Sequence, residues 1–280
     1  MVHWAHPAGR RVGPVVLGLL LAVPLAVAAP PAVAIDIMPH RALYSLSLGA
    51  AKSASGVADA RGSMLLEWGD SCDGWTIEQR YKLTVLYTEN GEAELSVSFT
   101  TWESRDGLRY RFFVRKLRDG DVTDELRGRA SLSGPGEAGS AAFTQPEQQE
   151  IPLPAGAIFP TEHTIEIIRA AEAGKRFLSR SVFDGGELEG PSEITAAIGG
   201  RLPAAAPDAV APAKAEPFKR PSWPVRLAYY KQGSNGSEPD YEVGMRLHDN
   251  GVADGLALDY GDFSVKARLT EIEALPRPSC

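Results

Sequence analysis

Apolar and polar side chains alternate along most of this chain, and no other feature narrows its fold as much. Ala42, Tyr44, Leu46 and Leu48 form one such run; Trp75, Ile77, Tyr81, Leu83, Val85 and Tyr87 form a longer one, interrupted at Gln79. Ala93, Leu95, Val97 and Phe99 alternate with Glu94, Ser96 and Ser98. Leu108, Tyr110, Phe112 and Val114 alternate with arginines, Phe113 being the exception. The rhythm returns in Val225-Leu227-Tyr229, Tyr241-Val243-Met245-Leu247 and Phe263-Val265-Ala267-Leu269. Successive side chains of a strand point to opposite faces, so this rhythm marks strands with one face in a core and one in water. Between the runs stand Glu89-Asn90-Gly91, Arg105-Asp106-Gly107, Asp119-Gly120 and Asp249-Asn250-Gly251. Asn-Gly and Asp-Gly readily take the positive φ of tight hairpin turns. Strands joined this way make an antiparallel meander, not a parallel sheet with helical crossovers.

One stretch breaks the rhythm. Residues 160–173 open with Pro160-Thr161-Glu162, space Ile165, Ile167, Ile168 and Ala171 as a helix does, and are followed by Gly174. A helix of about three turns is predicted there, plugging or covering an opening in the sheet. Gly134 to Gly139 reads as a loop. Arg201 to Pro221 is rich in Ala and Pro, cannot pair in a ladder, and reads as an insertion within one domain.

Residues 1–34 carry a basic Arg10-Arg11 pair, an apolar stretch from Pro14 to Ala29, and small residues ending in Ala32-Val33-Ala34. That is the pattern of a cleaved export leader, with Ala26-Val27-Ala28 as a second cleavage candidate. The apolar stretch is shorter than the roughly 20 residues of a membrane span. Residues 35–280 are then one β-rich domain, with no stable membrane insertion after cleavage. Losing the two leader arginines takes the net charge from −7 to −9, which disfavours nucleic acid as a partner. Two cysteines, Cys72 and Cys280, follow the leader. An even count after an export signal implies a disulfide in an oxidising compartment, here the periplasm. Two free thiols or an intermolecular bond are the alternatives.

Chemistry-bearing residues are scattered. His40, His163 and His248 lie far apart, without metal-ligand spacing. Asp249 to Asp254 offers oxygen donors but not the order of a calcium loop. No Gly-x-Ser-x-Gly or Cys-x-x-Cys occurs. Glu78, Glu92, Glu94 and Glu103 read as solvated carboxylates on polar faces. Arg109, Arg111 and Arg115 read as cross-strand partners of Asp124 and Glu125, with anion contact as the sharper alternative. Trp68, Trp75, Trp102 and Trp223 read as core. Asn235-Gly236-Ser237 reads as a turn.

Several of these pieces occur together in one known family. The leader, the early strand Pro39-His40-Arg41-Ala42-Leu43-Tyr44, the element Ser71-Cys72-Asp73-Gly74-Trp75, Phe183-Asp184-Gly185-Gly186 and the terminal Cys280 resemble the EipB-like cell-envelope integrity proteins. The resemblance implies a monodomain β-spiral, a periplasmic disulfide matching Cys72 and Cys280, a role in envelope integrity under stress, and no enzymatic activity. The expected fold is therefore all-β and mainly antiparallel: one large curved sheet, β-spiral or open barrel, with a single helix. No catalytic residue, cofactor or metal is implied. The expected partner is an envelope protein or other envelope component. A lipid or lipoprotein carrier with an apolar cavity, and an enzyme acting on glycan through two close carboxylates, are the competing readings.

Mass spectrometry of the exported chain is expected to find its first residue at Ala29 or Ile35; an intact Met1 end on the exported protein would overturn the cleaved leader.

Overall fold

A computed structural model describes residues 35–89, 91–205, 214–233 and 238–280. The leader at residues 1–34, Asn90 of the first turn, the middle of the Ala/Pro-rich insertion (206–213) and the 235–237 turn lie outside the described residues. The strands are β1 (His40–Ala51), β2 (Val57–Asp70), β3 (Gly74–Tyr87), β4 (Gly91–Ser104), β5 (Arg109–Arg118), β6 (Asp121–Leu132), β7 (Gly139–Gln145) and β8 (Gln149–Leu153). After the helix α1 (Pro160–Glu172) come β9 (Phe177–Val182), β10 (Ser192–Ile198), β11 (Ser222–Lys231), β12 (Tyr241–His248), β13 (Ala253–Asp259) and β14 (Phe263–Ala274). All fourteen strands belong to one sheet, in the order β8-β7-β6-β5-β4-β3-β2-β1-β14-β13-β12-β11-β10-β9, and every neighbouring pair is antiparallel.

That order is two meanders joined at the middle. The chain enters at the centre, steps outward to β8, crosses by α1 to the opposite edge at β9, and steps back until β14 lies beside β1. The two edge strands are thus consecutive in sequence. The chain beyond β8 also meets β9: Ile158 donates its N–H to the Ser181 carbonyl at 3.0 Å and accepts from the Phe183 N–H at 3.0 Å, a single parallel bridge between the β8–α1 connection and β9. The sheet is an open curved spiral drawn nearly shut, not a closed barrel. On the rest of the β9 edge the Arg180 guanidinium bonds the Ser179 carbonyl at 2.9 Å and Glu166 of α1 at 2.6 Å, which blunts a free row of backbone groups.

The two-residue rhythm becomes burial directly. Ala42, Tyr44 and Leu46 of β1, Tyr110, Phe112 and Val114 of β5, and Val265, Ala267 and Leu269 of β14 all face the interior. At Asp119-Gly120 both residues have positive φ, 53° and 91°, the geometry that matches the twist of a two-residue hairpin. The Asp119 carboxylate also accepts the Glu94 N–H at 2.7 Å, tying this turn to β4. Several strands were not predicted from the alternation: β2, β6, β7, β8, β9, β10 and β13, β6 being implied only by Asp124 and Glu125 as cross-strand partners. In β2 Gly62 has no side chain to mark a face and the apolar Leu65 falls on the outer one, which blurs the contrast; a Cβ on Gly62 would sit 2.0 Å from the Lys82 carbonyl oxygen of β3. In β10 the alanines are too small to distinguish the faces, and in β9 Phe177 points outward, 71% exposed.

The interior holds three apolar clusters. One gathers Ile167 and Ile168 of α1 with Trp75 of β3 and the inward residues of β10 to β12. The second fills the space under β1 to β3 and β14. The third packs Tyr110, Phe112, Phe143, Phe159 and Phe183 under β5 to β8. Strands far apart in the sheet contribute to one cluster only because the sheet curls around α1. Among the described residues, no helix is long and apolar enough to cross a membrane.

A disulfide joins Cys72, in the β2–β3 turn, to Cys280, with Cα atoms 5.9 Å apart and a sequence separation of 208. It does not fix the final strand, which already sits at the centre of the sheet. It fixes the tail beyond β14. Leu275 donates to the Pro39 carbonyl at 2.9 Å, and Arg277 reaches Asp36 at 2.5 Å and the Ile37 carbonyl at 2.8 Å. Arg105 lies 3.7 Å over Trp75 and pairs with Asp70 beside the same turn. Loop-closure entropy for so long a loop gives an upper figure of about 5 kcal/mol. The paired variant Cys72→Ser with Cys280→Ser is expected to unfold at lower denaturant concentration, with a loss of unfolding free energy of up to that amount. An unchanged midpoint would show that β1–β14 pairing alone carries the closure.

Candidate functional site

The least ordinary carboxylate is Glu103. In β4 the inward positions run Ala93, Leu95, Val97, Phe99, Thr101 and Glu103, so strand parity turns this acid into the core rather than onto the polar face. This corrects its reading as a solvated group, and the signal was present: Glu103 shares the parity of the apolar residues before it. Its Oε2 accepts the Thr161 N–H at 2.7 Å and its Oε1 the Glu162 N–H at 2.9 Å. Phe159, the residue before α1, has no side-chain cap to offer. Glu103 therefore supplies the missing cap from another strand and faces the positive end of the helix dipole. Burial pushes its carboxyl up to about 7, while the two N–H groups pull the other way. Nearby, burial and the Arg180 charge push the His163 imidazole down to about 4. Phe159 stacks on Tyr110 with ring centres 5.0 Å apart, and the Tyr110 hydroxyl donates to the Asp184 carbonyl oxygen at 3.0 Å. With both oxygens engaged by backbone, Glu103 docks the helix.

The other candidate residues are kept apart. His40 lies in β1 with Nδ1 2.7 Å from the Met38 carbonyl, His163 in α1, and His248 at the end of β12 with Nε2 2.9 Å from Asp254. Among the described residues no three His, Cys, Asp or Glu side chains converge as metal ligands. The Asp249 to Asp254 turn is a buried junction: Asn250 donates to the Pro217 carbonyl at 2.9 Å, and its own carbonyl accepts the Met38 N–H at 2.9 Å. Glu92 pairs with Arg61 at 2.6 Å, Glu94 with Lys82 at 2.7 Å, and Glu78 with Arg80.

Of the three β5 arginines only Arg115 meets its expected partner, Glu125, at 3.5 Å. Asp124 stands opposite Lys116, and Arg111 opposite Arg129. Arg111 and Arg109 instead lie 4.5 and 5.9 Å from the Trp102 ring centre. Trp102 is consequently on the outer face, half-buried, while Trp68, Trp75 and Trp223 are core. The parity that turns Glu103 inward turns its neighbour Trp102 outward.

At its other end α1 borders a surface cleft of about 490 Å3, a size typical of small-molecule sites. The helix stops in a Schellman turn: Gly174, at φ 72°, donates to the Ala171 carbonyl at 3.0 Å, and Lys175 to that of Ala170 at 2.9 Å. This turn delivers Lys175 and Arg176 to one wall. Gly199, Gly200 and Arg201 form the second wall, held by the Gly199 N–H on the Pro224 carbonyl at 2.7 Å and the Leu202 N–H on that of Ser222 at 2.7 Å. Pro221 and Trp223, the latter almost wholly buried, complete the lining. Sequence reasoning missed this cleft because its cations come from two separate places along the chain, Lys175-Arg176 and Arg201.

A family model described as EipB-like matches residues 31–276. The Cell envelope integrity protein EipB of Brucella abortus (strain 2308) is 33% identical over 251 residues, spanning 88% of this chain and 87% of that protein. The crystal structure of a beta-barrel-like protein of a domain of unknown function from Brucella abortus superposes with a TM-score of 0.79 at 30% identity, covering 87% of this chain and 100% of that one.

Burial gives Glu103 and His163 opposing pH dependences. Glu103 stabilises the fold below its ordinary value of 4.5, and that contribution is lost as pH rises through about 7. His163 contributes above its ordinary 6.5 and loses that contribution as pH falls through about 4. In Glu103→Gln the unfolding free energy is expected to rise with pH across the shared window. The stability of the native chain relative to this variant should fall by roughly 3 kcal/mol between low and neutral pH. Denaturant titrations at several pH values measure this; a constant difference would show that Glu103 titrates as an ordinary carboxylate.

Proposed function

The chain belongs to the EipB-like family, and from that membership we propose that it is an exported, non-enzymatic protein that maintains the cell envelope from the periplasm. Family membership carries the reading, since the curated relative is named for cell envelope integrity. The leader pattern at residues 1–34 supports export, and a disulfide between Cys72 and Cys280 suits an oxidising compartment. The acidic groups that most invited a catalytic role are occupied structurally: Glu103 caps α1 with both oxygens.

A curled sheet whose interior is filled by its own side chains works through its surface. We infer that it holds an envelope protein or another envelope component there, positioned by a scaffold that the tail disulfide and the sheet closure keep in one shape. Deletion of the gene is expected to raise sensitivity to detergents and to cell-wall antibiotics, with rescue by the full exported chain and none by a chain lacking residues 1–34. Unchanged sensitivity in the deletion strain would remove the envelope reading.

A further inference from the structure

We propose that the cleft at the C-terminal end of α1 binds a phosphate monoester carried on a sugar-sized group. Three cations, Lys175, Arg176 and Arg201, and one carboxylate, Glu172, line it, a local charge of +2 on a chain whose overall charge is −7. Cations nearby are spent on partners: Arg180 on Glu166, Arg220 on Asp249, Arg246 on Asp254. Among the described residues the three cleft cations form no ion pair.

The fold also frees them from the helix. A positive side chain at a helix C-terminus ordinarily answers the exposed carbonyls. Here backbone N–H groups of Gly174 and Lys175 already bond the carbonyls of Ala171 and Ala170. Arg176 turns instead to the end of β10, where one guanidinium nitrogen donates to the Ile198 carbonyl at 3.4 Å and anchors the side chain at the rim. A phosphate monoester carries about −1.5 to −2 charge at neutral pH and three acceptor oxygens, matching the net charge and the donors present. Arginine suits such an oxyanion by its planar fork and lysine as a point charge. The cleft has room for more than the phosphate. Pro221 and the backbone at Gly199-Gly200 line the rest of the cleft and offer a surface for the sugar ring. The proposal rests on the envelope reading only for the source of the ligand, a soluble sugar phosphate or the phosphate of a lipid headgroup; the phosphate chemistry comes from the cleft.

The test is calorimetric titration of the full mature chain at low and high salt. The probes are glucosamine phosphate, glucosamine, inorganic phosphate, and phosphatidylcholine vesicles with and without phosphatidate. The expected result is binding to a phosphate ester that weakens as salt rises, with none to glucosamine. Lys175→Gln with Arg201→Gln should lose about tenfold or more in affinity. Gly200→Phe should lose as much while keeping every charge. A Cβ at Gly200 has no atom within 4 Å and its φ lies outside the left-handed region, so this lining position takes a ring without strain. An unchanged melting temperature in each variant separates loss of binding from loss of fold. Binding to the soluble ester alone, or to the phosphatidate vesicles alone, supports the phosphate site and assigns its source. No binding of either form, equal binding of inorganic phosphate, or full binding by the variants would overturn the proposal. The deletion assay uses none of these probes, so failure of the envelope reading would be seen separately.

Discussion

Pairing between β1 and β14 at the centre of the sheet is what makes one molecule of two meanders. Residues 40–51 and 263–274 lie at opposite ends of the described chain, yet they share a register of ten residue pairs. Eight strands hang from one side of this seam and six from the other. Closing so long a loop costs chain entropy before any contact rewards it, so contacts that reinforce the same closure are worth most. The tail supplies them in a cluster: Leu275 on Pro39, Arg277 on Asp36 and Ile37, and the Cys72–Cys280 disulfide. The Asp249 to Asp254 turn adds to the same region through the Asn250–Met38 hydrogen bond and the Tyr44 hydroxyl on the Ala253 carbonyl at 2.7 Å.

With the seam at the centre, both edges of the sheet fall to one short stretch of chain. Residues on either side of α1 are the two edges, and α1 is the only helical crossover among the described elements. Its docking decides how far the sheet curls. Glu103 reaches it from β4, Tyr110 stacks on the residue before it, and Ile167 and Ile168 pack with β10 to β12 on the opposite arm. A helix held by both arms leaves little freedom for the spiral to open. The cost is a carboxyl group kept out of water, offset by two backbone donors and the helix dipole.

The two ends of α1 then differ in kind. The N-terminal end is buried, with its orphan N–H groups met by Glu103. The C-terminal end is at the surface, with its carbonyls met by its own Schellman turn, and cationic side chains collect there around a cleft. One end thus serves the fold, while the other is free to serve a ligand. For a family with a relative named for the integrity of the envelope, a curled sheet with a cationic recess at its surface is a coherent arrangement.

Much of the architecture was legible from local pattern. Seven alternating runs, the turn residues between them and the helix at 160–173 follow from periods and φ preferences that neighbouring residues enforce on one another. Among the strands that escaped notice, β2 carries Gly62, where the close approach of β3 leaves no room for a side chain, and β10 carries alanines on both faces; in each the contrast between faces is weak. What the local pattern could not supply was the identity of partners. Glu103 meets its helix 58 residues away in sequence, the cleft draws Lys175, Arg201 and Trp223 from separate elements, and Arg111 faces Arg129 rather than an acid. Alternation along a strand determines which side chains turn inward. Which distant group each one then meets is decided only when the whole sheet curls, because that choice rests on burying all the inward faces at once.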